Sequence, residues 1–451
     1  MTAPIPAMDT LRYVIAEQDN VTLSEFLNSL NPSDTARAIS RLSEQERTQL
    51  LCLIDPADAA DIIEDIPEAQ AVDLVEEIPA IQAAAIMEEL SSDHLADMLG
   101  EMNSDSSNEI LSKMHQEDAE EARKLMAYDP NCAGGLMISE FLAYSSEDTI
   151  SHVLNDLQDN SQEYINFHVQ YFYVIDNNKQ LVGVLRIHDL LFPAKETRLS
   201  EIMITTPLSV LDTATLRELD DFFEQHHLLG VPVVDSKGTL VGVVLPRNVE
   251  EAVEKNQTRT FLRLSGIVGG EEFRTMPLLS RSGRRLSWLS VNIVLNIFAA
   301  SVIALYQDTL AAAITLAVFL PMVSDMSGCA GNQAVAVSMR ELSLGLVRPK
   351  ELFWVLAKEA RVGVINGVIL GTLLGGIASL WQGNPWLGVV VGGALSINTV
   401  VSVCLGGVLP LMMKRFNLDP ALVSGPLLTT VTDMCGFFFV LSFASAVLEK
   451  L

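Results

Sequence analysis

The chain has few cysteines, few aromatic residues and few bases for its length. Its 451 residues include 5 cysteines, 6% aromatic residues, and 29 Lys and Arg against 57 Asp and Glu. The cysteines form no CxxC pair, which argues against a zinc site and against a disulfide scaffold. The shortage of bases argues against nucleic-acid binding, because Lys and Arg neutralise phosphates. The net charge of −28 instead favours cations as partners.

Motifs of the common enzyme classes and of secretion are also missing. We find no Walker loop, no zinc-protease motif and no nucleophile elbow, so the sequence does not predict an enzyme. The N-terminus has no basic region followed by an apolar core, so it does not predict a signal peptide.

Acidic and apolar residues are concentrated in different parts of the chain. Residues 1–127 hold 27 acids and 7 bases, residues 128–285 hold 22 and 14, and residues 286–451 hold 8 and 8. The mean hydropathy is nevertheless +0.30. This separation predicts an acidic, water-exposed part followed by a membrane part.

Five apolar segments follow residue 285. The run from Val362 to Met413 has 52 residues without a charge, which is too long for one span, and turn residues near Pro385 divide it. The sequence therefore predicts a five-helix α transmembrane domain over residues 286–451. Its helices are expected at about 286–307, 311–339, 360–381, 385–413 and 420–448.

Basic residues lie mostly at one end of these predicted helices. Ten of them precede the first helix, lie between the second and third, or follow the fourth: Arg281, Arg284, Arg285, Arg340, Arg348, Lys350, Lys358, Arg361, Lys414 and Arg415. Lys450 lies at the other end. By the positive-inside rule, we expect a multi-pass protein of the cell (inner) membrane with its N-terminus in the cytoplasm and its C-terminus outside.

The fifth predicted helix carries an isolated acid, Asp433. A carboxylate at that depth costs about 2.5–3.5 kcal/mol on insertion scales unless it faces water, a partner or an ion. Thr429 and Gly425 precede Asp433 by four and eight residues and share its face. This face predicts a path for a hydrated cation. The alternative is a protonated acid bonded to a neighbouring helix.

Two further acids of this part have two interpretations each. Asp325 opens the polar second half of the second predicted helix, where Pro321 and two glycines favour an opened backbone. Such a backbone either lines a water-filled cavity, with Asp325 facing the water, or is buried in protein. Asp419 precedes Pro420 at the start of the fifth helix, where an aspartate is a common N-cap. Its place at the cytosolic mouth makes a second metal contact the alternative.

Residues 30–113 contain a 12-residue repeat. The repeated apolar residues are Leu30, Leu42, Ile54, Ile66, Ile78, Leu90 and Met102. This period predicts a stack of short helices, an all-α superhelical N domain over residues 1–130. Acids cluster at the unit ends, as in Glu64-Asp65, Glu76-Glu77 and Glu88-Glu89, and Asp93, Asp97 and Glu101 share one helix face. We interpret these acids either as solvated faces or as weak divalent-cation sites formed against another domain.

Residues 137–253, within a tandem-domain segment expected over residues 131–253, contain a duplication with an offset of 59 residues. Phe172–Asp176 and Leu181–Leu185 correspond to Val231–Asp235 and Leu240–Val244, and each pair predicts a β-hairpin followed by a helix. The segment resembles a tandem pair of α/β CBS domains. We expect a connecting helix over residues 254–285.

The whole chain resembles the MgtE family of magnesium channels. The specific matches are Tyr128–Met137, Gly331-Asn332-Gln333, and Asp419–Pro426 continuing to Asp433. The resemblance implies a homodimer whose fifth helices line a central pore, with hydrated Mg²⁺ held by Asp433. It adds Gly331, Asn332 and Gln333 to the pore lining with Asp325. It also implies that cytosolic Mg²⁺ binds acids between the domains and closes the pore.

The sequence departs from the family pattern at several positions. Ser327 and Cys329 replace a Gly and an Asn, Gly425 stands where an Asn is common, and Asp325 where a neutral small residue is usual. Lys255 lies in the connecting segment, which lacks the family's acid cluster. Neither CBS repeat carries the usual ribose-binding combination, so we do not predict a nucleotide.

These observations lead to one functional hypothesis and two alternatives. The hypothesis is a Mg²⁺-selective channel or transporter gated by the cytosolic acidic and CBS domains. The alternatives are an ion-coupled carrier of divalent cations such as Co²⁺ or Mn²⁺, and a membrane-anchored CBS sensor that conducts nothing. The expected partners are a second copy of the chain, the lipid bilayer and magnesium ions.

Overall fold

The computed structural model describes residues 6–18, 20–161, 164, 167, 170–267, 272, 274, 276, 278–416 and 418–451. It divides into two compact units. The N-terminal unit comprises residues 1–257 and 272–276, and the membrane unit comprises residues 258–271 and 277–451.

Short helices fill the first part of the N-terminal unit. They are α1 (Pro6–Glu17), α2 (Asn20–Asn28), α3 (Pro32–Ile39), α4 (Glu44–Leu53), α5 (Pro56–Asp65), α6 (Glu68–Glu76), α7 (Ala80–Met87), α8 (Ser92–Glu101), α9 (Ser104–Leu111) and α10 (Gln116–Leu125). From α3 to α10, the main helix contacts join a helix to the next but one: α3 to α5, α5 to α7, α7 to α9, α6 to α8 and α8 to α10. The predicted helical stack is confirmed, while its superhelical winding stays a prediction.

The 12-residue period corresponds to the joints of this stack. Ile54, Ile66 and Met102 each cap the C-terminal end of a helix and are buried. Of the seven repeated residues, all except Leu30 lie in the core. The apolar residue at each joint therefore anchors the turn between two helices that are too short to be stable alone.

The glutamates at the unit ends have a repeated structural role. Glu64 accepts a hydrogen bond from the backbone N–H of Ser91 (3.3 Å), Glu76 from Asn103 (3.0 Å), and Glu88 from His115 (2.5 Å). Each donor is the N-cap residue of a later helix, 27 positions along the chain. These carboxylates therefore satisfy exposed N–H groups at helix starts and stabilise the positive end of the helix dipole.

The remainder of the N-terminal unit holds two three-stranded sheets. Their strands are β1 (Leu142–Ser145), β2 (Tyr171–Ile175) and β3 (Leu181–Arg186), then β4 (Val210–Leu211), β5 (Val231–Val234) and β6 (Leu240–Val244). The helices are α11 (Ala133–Leu136), α12 (Ile150–Asp159), α13 (Leu199–Ile202), α14 (Leu216–His226) and α15 (Pro246–Leu264), of which α15 belongs to this unit only up to residue 257.

Both sheets have the predicted internal symmetry. In each, the first strand is parallel to the second, and the second and third form an antiparallel hairpin. The two predicted hairpins are therefore confirmed. The helix expected after the first hairpin is only a 3₁₀ turn, Ile187–Leu190, whereas the second hairpin leads directly into α15.

The expected connecting helix over residues 254–285 is not a single helix. α15 begins already at Pro246 and ends at Leu264. Gly266 adopts φ +81°, and the backbone N–H of Ile267 bonds back to Leu262 O (3.0 Å). This glycine-containing C-terminal motif terminates the helix, because a residue without a side chain can adopt the left-handed conformation cheaply.

The membrane unit contains long helices. They are α16 (Leu278–Leu305), the short α17 (Gln307–Ala312), α18 (Leu316–Ser343), α19 (Leu352–Gln382), α20 (Pro385–Arg415) and α21 (Pro420–Ala446). In the described part of the chain, four segments are long and apolar enough to span a membrane: Arg281–Leu305, Leu352–Gln382, Pro385–Arg415 and Gly425–Ala446. α18 is not among them because its second half is polar. The span expected at about 311–339, which corresponds to α18, therefore stays a prediction.

The expected opening of the backbone in α18 is wrong. The helix is continuous from Leu316 to Ser343. Pro321 lies in the second turn, where its missing N–H removes one helical hydrogen bond, but the helix continues past it. Gly331 lies in a buried contact with α20 and α21, where a Cβ atom would come within 3.0 Å of Ser402 O and 2.9 Å of Leu428 Cδ2. The glycine therefore serves close helix packing and not an opened backbone.

α19 and α20 pack through rows of glycine. Gly363, Gly367, Gly371 and Gly375 are buried on one face of α19, opposite Gly388 and Gly392 of α20. Because these residues lack side chains, the two backbones approach closely enough for Ser396 Oγ to donate a hydrogen bond to Gly367 O (2.9 Å). This seam joins two of the four apolar spans.

Candidate cation site

Asp433 lies in the middle of α21 and is half-buried. Its Oδ1 accepts a hydrogen bond from Ser324 Oγ of α18. Ser324 is buried, and the neighbouring Asp325 is exposed and close enough for its charge to act on Asp433. No Lys, Arg or His forms an ion pair with Asp433 among the described residues of the membrane unit. The described polar contact of this carboxylate is therefore a single neutral donor.

A cavity of about 920 Å³ lies beside α21, towards its N-terminal end. Three of the predicted pore residues line it: Asn332, Gly425 and Thr429. Thr429 is exposed, and its hydroxyl is turned back onto Gly425 O (3.0 Å). Asp433 follows Thr429 by one helical turn on the same face of α21, but it does not line this cavity.

The structure does not bring all predicted pore residues to this cavity. Gly331 is buried in the contact between α18 and α20, as described above. Gln333 is exposed on α18 but does not line the cavity, and neither does Asp325. The Gly331–Gln333 motif is thus divided, because successive residues of a helix point about 100° apart and cannot share one face.

Asp419 is the N-cap of α21. Its Oδ1 accepts a hydrogen bond from Ala421 N (2.9 Å), and Pro420 occupies the first helical position. Its Oδ2 bonds to Arg263 Nη1 at 2.7 Å. Both carboxylate oxygens are therefore engaged, and a metal ion at this position would compete with the guanidinium.

The acids of α8 face side chains of α15 in the N-terminal unit. Asp97 and Glu101 each lie 3.6 Å from Lys255 Nζ, which also contacts Glu68. Asp93 Oδ2 accepts a hydrogen bond from the buried Asn248 (2.7 Å). The three predicted regulatory acids therefore have partners within the protein. Asp97 and Glu101 face the ammonium of Lys255, and Asp93 accepts from the amide of Asn248.

Lys255 and the carboxylates around it shift one another's pKa values. Burial lowers the pKa of Lys255, but Glu68, Asp97 and Glu101 outweigh it and raise the pKa overall. Burial also raises the pKa of Asp97, against the opposing effect of Lys255. The result favours a charged ammonium among carboxylates.

One cluster in the described residues has ligand atoms close enough to hold a metal ion. Glu88, His115 and Asp118 place one ligand atom each within 4.8 Å of one another. His115 Nδ1 already lies 2.9 Å from Glu88 Oε2, and both His115 and Asp118 side chains are largely exposed. The cluster lies at the joint where Glu88 caps α10, so the structural role accounts for it.

Sequence reasoning missed several polar residues of the membrane unit. Asn292 and Asn296 of α16 line the cavity. Asn398 of α20 is fully buried and donates a hydrogen bond to Thr432 O (3.1 Å), one residue before Asp433. The i, i+4 spacing of the two α16 asparagines within an apolar span was a usable signal. Nothing in the sequence indicated that Ser324 would contact Asp433.

Comparison with known proteins identifies the family. Models for the MgtE divalent cation transporter, the MgtE intracellular N domain and the CBS domain match residues 320–443, 30–131, and 133–193 with 199–255. The magnesium transporter MgtE of Thermus thermophilus is 30% identical over 330 residues, which cover 73% of both chains. The chain belongs to the MgtE family. The Bacillus subtilis magnesium transporter MgtE is 28% identical over 327 residues, 72% of each chain.

Solved structures agree with the MgtE assignment for the cytosolic half. The cytosolic domain of the Mg²⁺ channel MgtE, crystallised in complex with ATP, is 27% identical with a TM-score of 0.50. The match covers 54% of this chain and 99% of that one. The soluble part of a magnesium transporter is 22% identical with the same TM-score, and it supports the fold only. This MgtE homologue is thus a membrane transporter with CBS domains.

Proposed function

We propose that this MgtE homologue carries Mg²⁺ into the cell along the face of α21 that bears Gly425, Thr429 and Asp433. The observation that supports it most strongly is the carboxylate of Asp433, which is half-buried within an apolar span without a basic partner among the described residues. An acid at such a depth is expensive unless water or an ion compensates its charge. Family membership makes Mg²⁺ the cargo.

The cavity is large enough to hold a hydrated ion. Mg²⁺ binds six ligands octahedrally and loses its water reluctantly. Six waters at about 30 Å³ each occupy about 180 Å³, well within the 920 Å³ of the cavity. The amide of Asn332 and the hydroxyl of Thr429 are neutral groups that exchange hydrogen bonds with such waters. Weak contacts of this kind let an ion both bind and leave.

The proposal requires two copies of the chain. One Asp433 provides a single negative charge, whereas two related by a two-fold axis would balance Mg²⁺ through its water shell. The exposed Asp325 would add charge near the same point. We expect Gln333 to contribute at most indirectly, and Asp419 to contact the ion only after Arg263 has moved away.

The cytosolic half is proposed to regulate permeation. α15 runs without a break from the second CBS repeat to Leu264, and the residues after it, Ser265, Gly266 and Ile267, line the cavity of the membrane unit. A change in the position of α15 would therefore change the cavity wall. Regulation of this kind requires the N-terminal unit to lie in the cytoplasm, and we include this orientation in the proposal.

No nucleotide is required by this proposal. The ATP complex belongs to the relative. In this chain Asp189 bonds to Arg186 (3.1 Å), and the corresponding Asn248 of the second repeat bonds to Asp93. The candidate ribose partners are thus occupied by protein groups.

The decisive experiment is Mg²⁺ uptake by Mg²⁺-auxotrophic cells that express Asp433→Asn or Asp433→Ala. We expect uptake to fall about tenfold or more, since tenfold needs only about 1.4 kcal/mol of lost ion–carboxylate interaction. Asp308→Asn is the matched control, because Asp308 is an exposed acid of α17 that does not line the cavity. Wild-type uptake by both Asp433 variants at equal expression would refute the pathway.

A further inference from the structure

The acidic face of α8 contacts a cation of the same chain, the ammonium of Lys255 on α15. Lys255 Nζ lies 3.6 Å from both Asp97 Oδ2 and Glu101 Oε1 and contacts Glu68 Oε2, so one ammonium meets three carboxylates from α6 and α8. Its side chain is only 28% exposed. An ion pair in such a network is worth more than an isolated surface pair, because one side chain is fixed by several partners at once.

A second contact places the same two helices together. Asn248 lies seven residues before Lys255 on α15, on the same face, and is 5% exposed. Its Nδ2 donates to Asp93 Oδ2 (2.7 Å) and to Leu136 O (3.2 Å). Asp93, Asp97 and Glu101 follow one another by four residues along α8, so α8 and α15 are joined at successive turns by an amide and an ammonium.

The acids of this face do not fit a divalent cation as they stand. In the described chain, only the Glu88, His115 and Asp118 cluster brings three ligand atoms within 4.8 Å of one another, and the α8 acids do not. Mg²⁺ prefers six oxygens at 2.0–2.1 Å in near-ideal octahedral geometry. The ammonium already occupies the point between the carboxylates, so a divalent ion there would have to displace Lys255.

His94, also on α8, faces a carboxylate of a neighbouring helix. Its Nδ1 lies 3.3 Å from Glu64 Oε1 of α5. A second side chain of α8 is therefore held by another helix, next to the contacts of Lys255.

We propose that Lys255 replaces the regulatory divalent cation and keeps the acidic helices closed on α15 whether or not Mg²⁺ is present. The resemblance to the MgtE family implies that Mg²⁺ draws the acidic helices towards the rest of the cytosolic part. In this chain, Lys255 makes the contact between α8 and α15 without a metal ion. Any regulation by Mg²⁺ would then have to act elsewhere. The inference concerns the N-terminal unit alone and does not depend on where ions cross the membrane.

The test is hydrogen–deuterium exchange of the purified full-length protein, with peptides that cover α8 and α15. In the wild type, we expect the protection of both helices to be the same in EDTA and in millimolar MgCl₂. In Lys255→Met, protection in EDTA should be lost, because three carboxylates then face one another without a cation. Lys255→Arg keeps the charge and should keep the protection.

Two comparisons make the result decisive. Lys195→Met removes an exposed lysine of the same unit and should leave α8 unchanged. Protection of β5 and β6 reports whether Lys255→Met is still folded. A wild-type α8 that loses protection when Mg²⁺ is removed would overturn the proposal, and so would a Lys255→Met variant that stays fully protected in EDTA. Neither outcome requires transport, so the pathway proposal is tested separately.

Discussion

At the scale of single residues, several conspicuous acids of this chain are accounted for by hydrogen bonds within the protein. Asp419 was a candidate metal contact, yet one of its oxygens caps α21 and the other pairs with Arg263. Glu64, Glu76 and Glu88 cap later helices. Asp433 differs from all of them, because its described polar contact is a single hydroxyl of a buried serine.

A pair of substitutions separates the two roles of Asp419. Asparagine retains the oxygen that accepts from Ala421 N–H but loses the charge, whereas alanine loses both. We expect Asp419→Ala to be less stable than Asp419→Asn by about 1 kcal/mol, the usual worth of an N-cap. The partly exposed pair with Arg263 should add at most about 1 kcal/mol to either loss. Chemical unfolding of the full-length protein in detergent measures both.

Transport by the same variants tests the metal role. If Asp419 acts only as a cap, Asp419→Asn should carry Mg²⁺ at nearly the wild-type rate. Arg263→Gln is the matched control, because it removes the same ion pair from the other side. A strong loss of uptake in Asp419→Asn together with normal uptake in Arg263→Gln would establish Asp419 as an ion contact.

At the scale of helices, the glycine seam between α19 and α20 offers an internal control. A Cβ atom on Gly392 would overlap the backbone oxygen of Gly371 and lie 3.1 Å from Gly375 Cα. On the neighbouring Gly393, it would meet nothing nearer than Phe443 at 3.9 Å. Backbone atoms cannot rotate away as a side chain can, so the two alanine substitutions should differ in their effect.

We therefore expect Gly392→Ala to destabilise the membrane unit by about 1–3 kcal/mol, the usual cost of overpacking, and Gly393→Ala to have little effect. The measurement is the unfolding midpoint of each variant in mixed micelles, followed by helix signal. Equal midpoints for the two variants would mean that the seam is looser than the backbone distances indicate.

The sequence predicted the elements well where a regular pattern decided them. The 12-residue apolar period indicated the short helices, and the 59-residue duplication indicated two hairpins, because burial repeats wherever the fold repeats. Glu64, Glu76 and Glu88 recur with the same period. The backbone N–H groups that they cap, however, lie 27 residues further along the chain. Such contacts depend on how neighbouring units stack, which no local pattern contains.

The same limit applies to the candidate site. Asp433 was identifiable because an acid in an apolar span is rare and costly. Glycine and proline predicted an opened backbone in α18, but the helix is continuous and Gly331 allows α20 to approach. Whether a glycine opens a helix or permits close packing depends on the neighbouring helix, which the local sequence does not contain. The contact of Lys255 with Asp97 and Glu101 likewise joins residues more than 150 positions apart, so only the fold reveals it.

At the scale of the whole molecule, the distribution of basic residues predicts how the chain is oriented in the membrane. Lys350 lies between α18 and α19, on the side predicted to face the cytoplasm, and Gln382 ends α19 at the opposite side. Both are exposed, so each can carry a cysteine reporter once the five natural cysteines are replaced by alanine.

In intact spheroplasts, a membrane-impermeant maleimide should label Gln382→Cys readily and Lys350→Cys only after lysis, because basic loops are retained in the cytoplasm. The reverse pattern would place the acidic N-terminal unit outside, where it could not sense cytosolic Mg²⁺. Comparable labelling of both positions before lysis would show that α19 does not cross the bilayer at all.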